Sequence, residues 1–230
     1  MIPLTVLYVP GDRPDRVAKA LASPADVVAV DLEDAVAAPH KAEAPAHAAE
    51  LLAEVERPVQ VRVNHPSTPW HAEDLAMVAG LPAAVGVRCP KVESAAQVGD
   101  LAAAVPGRAL HLLVESALGV ERAFELATAV PEVASLGLGE ADLRSDLRVS
   151  DDAGLAWARS RIVTAARAAG LPSPMMSVYT HVRDEAGWWR PAGPGVPWGS
   201  WGVPPSTPHS WRRSVRRSCR RRRRWTGRAG

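Results

Sequence analysis

Ionisable residues in this sequence recur at the ends of short apolar runs. Pro10-Gly11-Asp12-Arg13 follows Leu4–Val9, Asp31-Leu32-Glu33-Asp34 closes Val27–Leu32, and Arg62 and Asn64 close Val59–Val63. Pro90-Lys91-Val92-Glu93 follows Ala84–Cys89, Glu115 follows Ala109–Val114, and Glu140-Ala141-Asp142 follows Val133–Leu138. A single loop charge is ordinarily just solvated. A series of apolar runs that each close on charge is a different pattern. Carboxylates from neighbouring runs, such as Glu115 and Asp142, suit a hard cation, and Mg2+ takes one or two carboxylates with water and substrate oxygens. Arg62 offers a planar fork for a carboxylate. His65 and His181 are the histidines near these ends, and both read as polar loop residues rather than ligands.

These residues need a scaffold that brings strand ends together. The six runs and a seventh, Met175–Tyr179, have the length of strands, and several are apolar on both faces, as in Val27-Val28-Ala29-Val30. That pattern marks strands of a parallel sheet covered on both sides. Helical patterns lie between them at Arg13–Leu21, Lys41–Val55, Ala72–Leu81, Ser94–Val105, Val120–Val130 and Asp152–Ala169. Ser94 and Asp151 are expected as N-caps, with Gly170 as a C-terminal stop. Strict alternation predicts a parallel α/β domain, either an open doubly wound sheet or a TIM (β/α)8 barrel. No G-x-G-x-x-G follows the first run, which argues against dinucleotide binding. Seven β/α units are recognisable, so the expected barrel is incomplete by one.

Composition bounds the reading further. The 230 residues are 47% hydrophobic and 23% charged, as in a globular protein, and no apolar run approaches the ~20 residues of a membrane span. No secretory leader is read at Met1–Gly11, and the distant Cys89 and Cys219 form no disulfide framework, so a cytoplasmic location is expected. The net charge of +2 conceals a split: Arg190–Gly230 holds 11 Arg and no acid, which leaves 16 basic and 25 acidic groups before it.

The motifs Leu7-Tyr8-Val9-Pro10-Gly11-Asp12-Arg13-Pro14, Val30-Asp31-Leu32-Glu33-Asp34-Ala35-Val36, Val61-Arg62-Val63-Asn64, Pro90-Lys91-Val92-Glu93-Ser94, Leu113-Val114-Glu115-Ser116-Ala117-Leu118-Gly119-Val120 and Gly139-Glu140-Ala141-Asp142-Leu143 occur in order. Together they resemble the citrate lyase β-subunit (CitE-like) branch of the HpcH/HpaI aldolase family, over about residues 4–187. The resemblance implies a TIM barrel with Mg2+ as cofactor. It implies cleavage of a 3-hydroxyacyl-CoA of the citryl-, malyl- or citramalyl-CoA type to acetyl-CoA and an oxo acid. Glu115 and Asp142 would bind the metal. Arg62 would bind the oxo acid and stabilise its oxyanion, and Glu33 and Asp34 would hold metal waters. Pro10, Gly11, Arg13, Arg16 and Lys91 would face the CoA ester. The resemblance also implies a homo-oligomer, a trimer or hexamer, in which a C-terminal lid supplies a catalytic acid to a neighbouring subunit.

Residues 188–230 do not continue that pattern. They hold six of the eight Trp and are rich in Arg, Pro and Gly. Read one base earlier, Trp codons give Leu, Met or Val, and Pro197–Trp211 admits an Ile-His-Pro segment like the family's eighth strand. The expectation is therefore a barrel domain at 1–187 and a disordered tail at 188–230 translated out of frame after one lost base near Gly187. The rival reading makes Arg220–Arg224 a nucleic-acid-binding arm.

Overall fold

The computed structural model describes residues 5–175. Six strands, β1 (Val6–Pro10), β2 (Val27–Asp31), β3 (Val59–Arg62), β4 (Val85–Cys89), β5 (Leu110–Val114) and β6 (Val133–Leu138), form one sheet in the order β1-β2-β3-β4-β5-β6. Every neighbouring pair is parallel. A doubly wound sheet reverses its strand order at a switch point. This order never reverses, which is the winding of a TIM barrel. The expected seventh strand at Met175–Tyr179, His181 and the 188–230 tail lie outside the described residues.

Eight helices connect or follow the strands: α1 (Pro14–Leu21), α2 (Ala44–Leu52), α3 (His71–Ala79), α4 (Ala95–Ala104), α5 (Ala117–Glu121), α6 (Ala123–Ala127), α7 (Glu140–Leu147) and α8 (Ala156–Ala168). The neighbours α1 and α2, α2 and α3, α3 and α4, α4 and α6, and α6 and α8 touch, so the helices form one layer. The strand residues beneath that layer are apolar: Val28, Val30, Val59, Val61, Val85, Val87, Leu110 and Leu112 are all buried in one core cluster. Each such side chain contributes about 1.5–3 kcal/mol when removed from water. The alternate residues face the other side of the sheet. There Val6, Val27 and Ala29 form a small apolar floor with Tyr8 and Met175. Above it the inner face turns polar, with Asp31, Gln60, Arg62, Arg88, His111 and Ser135.

Local chemistry sets the helix ends. Pro14 occupies the first turn of α1, where its missing N–H costs nothing. Ser94 caps α4 as expected, its hydroxyl accepting from Gln97 N. Ser116 caps α5 in the same way through Gly119 N. Gly170 has φ +76° and follows α8, as its expected role requires. Asp151 differs from expectation. Its carboxylate accepts from Gly154 N at 2.9 Å and so caps the single 3₁₀ turn Ala153–Leu155, after which α8 begins.

Three helical expectations are corrected. The stretch Val120–Val130 is two short helices broken at Arg122, whose φ −89° and ψ 9° leave the helical region. The stretch Lys41–Val55 becomes helical only at Ala44, with Pro45 in its first turn. Lys41 is thereby released from the helix face. Glu140-Ala141-Asp142, expected as loop, opens α7, which the sequence pattern does not announce because Leu143 is its one buried residue. Among the described residues no helix is long and apolar enough to cross a membrane.

Candidate active site

The strand ends are locked together by backbone bonds that run one step past the ladder. Gly11 N donates to Asp31 O at 2.8 Å, Leu32 N to Arg62 O at 2.9 Å, Val63 N to Arg88 O at 3.3 Å, and Gly139 N to Val114 O at 2.9 Å. The residues that follow β1, β2, β3 and β6 are thus tied to a neighbouring strand.

Arg62 is the hub. It pairs with Asp31 through Nε at 2.8 Å and a terminal nitrogen at 2.6 Å. This bidentate geometry fixes its plane. Its other terminal nitrogen lies 3.1 Å from Glu33 Oε2 and 3.4 Å from Asp34 Oδ2. The contact to Glu33 is an ion pair without hydrogen-bond alignment, so Glu33 Oε2 has no hydrogen-bond partner among the described residues. Burial alone would lower the guanidinium's pKa. The hydrogen bond and charge of Asp31, with Glu33, outweigh it and raise the value.

Lys91 is the second hub. Its ammonium lies 2.6 Å from Glu33, 2.9 Å from Asp142 and 3.9 Å from Asp34. Burial pulls its pKa down, but the bonds to Glu33 and Asp142 raise it overall. The backbone of Lys91 is left-handed, φ 53°, a strain of about 1–3 kcal/mol for a residue with a side chain. Its N–H donates to Glu115 Oε2 at 2.9 Å.

Glu115 is 6% exposed. Burial, partly offset by the Lys91 charge and reinforced by Glu33, pushes its carboxyl up to about 7. The same factor, burial, raises Glu33 against the pull of Lys91 and Arg62. Glu115 fits because residue 139 is glycine: a Cβ there would lie 1.9 Å from Glu115 Oε1. The backbone of β6 is therefore opened for this carboxylate.

The six residues Glu33, Asp34, Arg62, Lys91, Glu115 and Asp142 converge as expected. With Asp31 the rim holds five carboxylates against the two cations Arg62 and Lys91. Burial shifts Glu115 and Glu33 toward their protonated forms, and a multivalent cation bound there would favour the charged forms instead. Among the described residues no three His, Cys, Asp or Glu side chains form a closed metal cluster. Two carboxylates with the remaining positions left to water fit Mg2+ rather than a structural zinc. Pro10 and Gly11 join the rim through Asp31. A Cβ on Gly11 would lie 2.6 Å from the end of Leu32 and 3.2 Å from Asp31 O, so the first loop packs directly on β2. Arg13, just before α1, and Arg16 on it are exposed, and the ion pair of Arg13 is with Asp15 at 3.9 Å. His65 Nδ1 meets Ser67 Oγ at 2.8 Å, as befits a loop residue.

Several site residues were not singled out from the sequence. Asp31 was seen as a strand end but not as the partner of Arg62. Lys41 Nζ binds Leu32 O at 2.9 Å, Glu33 O at 2.8 Å and Asn64 Oδ1 at 2.7 Å. Asn64 in turn donates twice to buried Asp74 Oδ2, at 2.7 and 2.8 Å. This chain holds the loop that carries Glu33. The polar residues Gln60, Arg88 and His111 lie deeper on the inner face. Their signal is the period of two within Val59-Gln60-Val61-Arg62 and Val85-Gly86-Val87-Arg88, which separates the helix side from the lumen side.

Comparison with known proteins identifies the scaffold. The HpcH/HpaI aldolase/citrate lyase family profile matches residues 4–203. The chain belongs to the HpcH/HpaI aldolase/citrate lyase family. The match runs past Gly187, the boundary expected from the sequence. The citrate lyase subunit beta of Leuconostoc mesenteroides subsp. cremoris is 35% identical over 205 residues, covering 81% of this chain and 67% of that protein. A (3S)-malyl-CoA thioesterase of Cereibacter sphaeroides is 36% identical over 193 residues, 80% of this chain and 65% of that one. The chain thus spans about two thirds of the length of these HpcH/HpaI relatives. The crystal structure of CitE from Mycobacterium tuberculosis with magnesium, acetoacetate and coenzyme A superposes with a TM-score of 0.73 at 32% identity, covering 95% of this chain and 87% of that chain.

Proposed function

We propose that the chain is a Mg2+-dependent lyase for 3-hydroxyacyl-CoA esters of the citryl-, malyl- or citramalyl-CoA type. The observation that carries this reading is Glu115, a buried carboxylate admitted by Gly139 and fixed by Lys91 N–H, in a rim short of positive charge. Glu115 and Asp142 would hold the cation. When bound, Mg2+ polarises the carbonyl of the oxo acid. Asp31 holds Arg62 by two nitrogens, and the third, which lies against Glu33 and Asp34, would turn to the oxo acid and stabilise negative charge on its oxygen. Glu33 and Asp34 would order water on the cation. Lys91, Pro10 and Gly11, with the exposed Arg13 and Arg16, would take the CoA ester.

Cleavage removes the proton of the C3 hydroxyl and breaks the C2–C3 bond. The electron pair moves into the thioester as an enolate while C3 becomes the carbonyl carbon, and C2 then takes a proton to give acetyl-CoA. A second reading, hydrolysis of the thioester at the same site, is supported by the relative named malyl-CoA thioesterase. One assay separates the two. Malyl-, citramalyl- and citryl-CoA are each incubated with the protein and Mg2+, and acetyl-CoA, oxo acid and free CoA are followed by chromatography. A lyase gives acetyl-CoA and oxo acid in equal amounts, lost in Glu115→Ala; free CoA without oxo acid indicates hydrolysis; neither product overturns both readings.

A further inference from the structure

Arg62 and Arg88 occupy facing positions on β3 and β4, yet their surroundings are opposite. Arg62 meets three carboxylates. Arg88 is 8% exposed, and its hydrogen bond is to a neutral group, Nε to Gln60 Oε1 at 2.8 Å. No carboxylate pairs with it among the described residues. An uncompensated guanidinium under a barrel rim is costly to desolvate. Its local support is the ring of Tyr8, 5.4 Å from Arg88 Cζ, a modest cation–π contact. The next inner-face residue, His111, does not relieve the charge with a carboxylate either. Burial, then the Arg88 charge, pushes its pKa down to about 3 and keeps it neutral against Ser135 Oγ at 2.8 Å.

The inner face around Arg88 mixes glycines with the larger Tyr8, Gln60 and His111. Residue 137 on β6 is glycine, and a Cβ there would lie 3.0 Å from the end of Leu113 and 3.9 Å from a terminal nitrogen of Arg88. Residue 86 is glycine too, and a Cβ there would meet the His111 ring at 2.9 Å. Arg62 Cζ lies 5.7 Å from the same Tyr8 ring. The two guanidinium carbons are therefore at most about 11 Å apart, the sum of their distances to that ring. A carboxylate gripped by a guanidinium sits about 4 Å from its carbon, and the carboxylate carbons of a four-carbon diacid are about 4–5 Å apart. A short diacid can reach both.

We infer that Arg88 is a specificity residue that receives the distal carboxylate of a short dicarboxylic oxo acid whose other end lies at Arg62. This rests on the proposed lyase site and narrows its substrate class to esters that release a diacid, over those that release a monocarboxylic oxo acid. The terminal nitrogens of Arg88 supply the grip, and Gln60 orients the fork through Nε.

The test needs no turnover, so it separates this inference from the lyase reading. Binding of malate and of lactate, which differ by one carboxylate, is measured by calorimetry on the full chain with Mg2+. Malate should bind 10–100-fold tighter than lactate, as one charged bidentate pair provides. Arg88→Met should bring the malate-to-lactate ratio near one, Arg88→Lys should leave it intermediate, and Gln60→Leu should reduce it while retaining the charge. Equal binding of the two acids by the unaltered protein overturns the inference. So does no malate binding at 10 mM, roughly the weakest range worth calling recognition. A ratio that survives Arg88→Met overturns it as well. If Arg88→Met does not fold, the Gln60→Leu and Arg88→Lys ratios decide. A malate preference with no lyase product would sink the lyase reading and leave the diacid site standing.

Discussion

Substituting Gly139 by alanine isolates the space that Glu115 needs. The backbone there has φ −88° and ψ 86°, which places no left-handed demand on alanine, so the effect is steric. The new Cβ falls 1.9 Å from Glu115 Oε1 and 2.5 Å from its Cδ and Cγ. To regain ordinary contact the carboxylate must withdraw by about 1.5 Å, which breaks its bond to Lys91 N. Overpacking costs about 1–3 kcal/mol, and a lost bond to a charged group about 1.5–3 kcal/mol. A combined loss of about 2.5–6 kcal/mol corresponds to a fall in Tm of roughly 5–24 °C for a domain of this size. The unaltered protein at Mg2+ about 100-fold above its Kd should gain about 2.7 kcal/mol, and Gly139→Ala should lose that gain. Thermal unfolding with and without Mg2+ measures both. A Gly139→Ala protein with an unchanged Tm and an unchanged Mg2+ response would refute the assignment of residue 139 as the space for the Glu115 carboxylate.

Glu115 makes a pH prediction for the metal-free protein. Its folded pKa of about 7 lies above the unfolded value, so the folded state binds more protons between pH 4.5 and 7, and stability falls as pH rises through that window. The penalty, about 3 kcal/mol above pH 7, should vanish in Glu115→Gln, seen as a higher Tm at pH 8 in EDTA and a flatter pH profile. Asp74→Ala leaves Asn64 N and Nδ2 without their acceptor and should cost about 2–4 kcal/mol in urea unfolding. Ser94→Ala removes the α4 cap and should cost about 1 kcal/mol by the same measurement, with no change in Mg2+ response. Lys41→Met frees the carbonyls of Leu32 and Glu33 and should lower the turnover rate at least tenfold while the protein stays folded by circular dichroism.

What was legible in the sequence follows from range. Strands such as Val27–Asp31 and Val85–Cys89 are short continuous apolar runs, and both emerge where the pattern places them. Glu33, Asp34, Arg62, Lys91, Glu115 and Asp142 come together because strand ends in a parallel sheet share one rim. The partner of Arg62 was not legible, because pairing Asp31 with Arg62 depends on the register of β2 against β3, which periodicity alone does not fix. Lys41 was hidden inside an apparent helix, and its reach of 23 residues to Asn64 is a tertiary contact with no local signature. α7 escaped because its charged first turn belongs to the site and Leu143 alone anchors it.

β3 carries two kinds of residue in strict alternation, and the consequence is a separation of labour along a single strand. Val59 and Val61 look outward to the helices, while Gln60 and Arg62 look inward to the chemistry. Mutations at even and odd positions of one strand therefore act on different properties. A library varied at 60, 88, 111 and 135 would test which acid is recognised while sparing the helix-facing core of these strands. The same strand is read twice, once by its helices and once by its ligand.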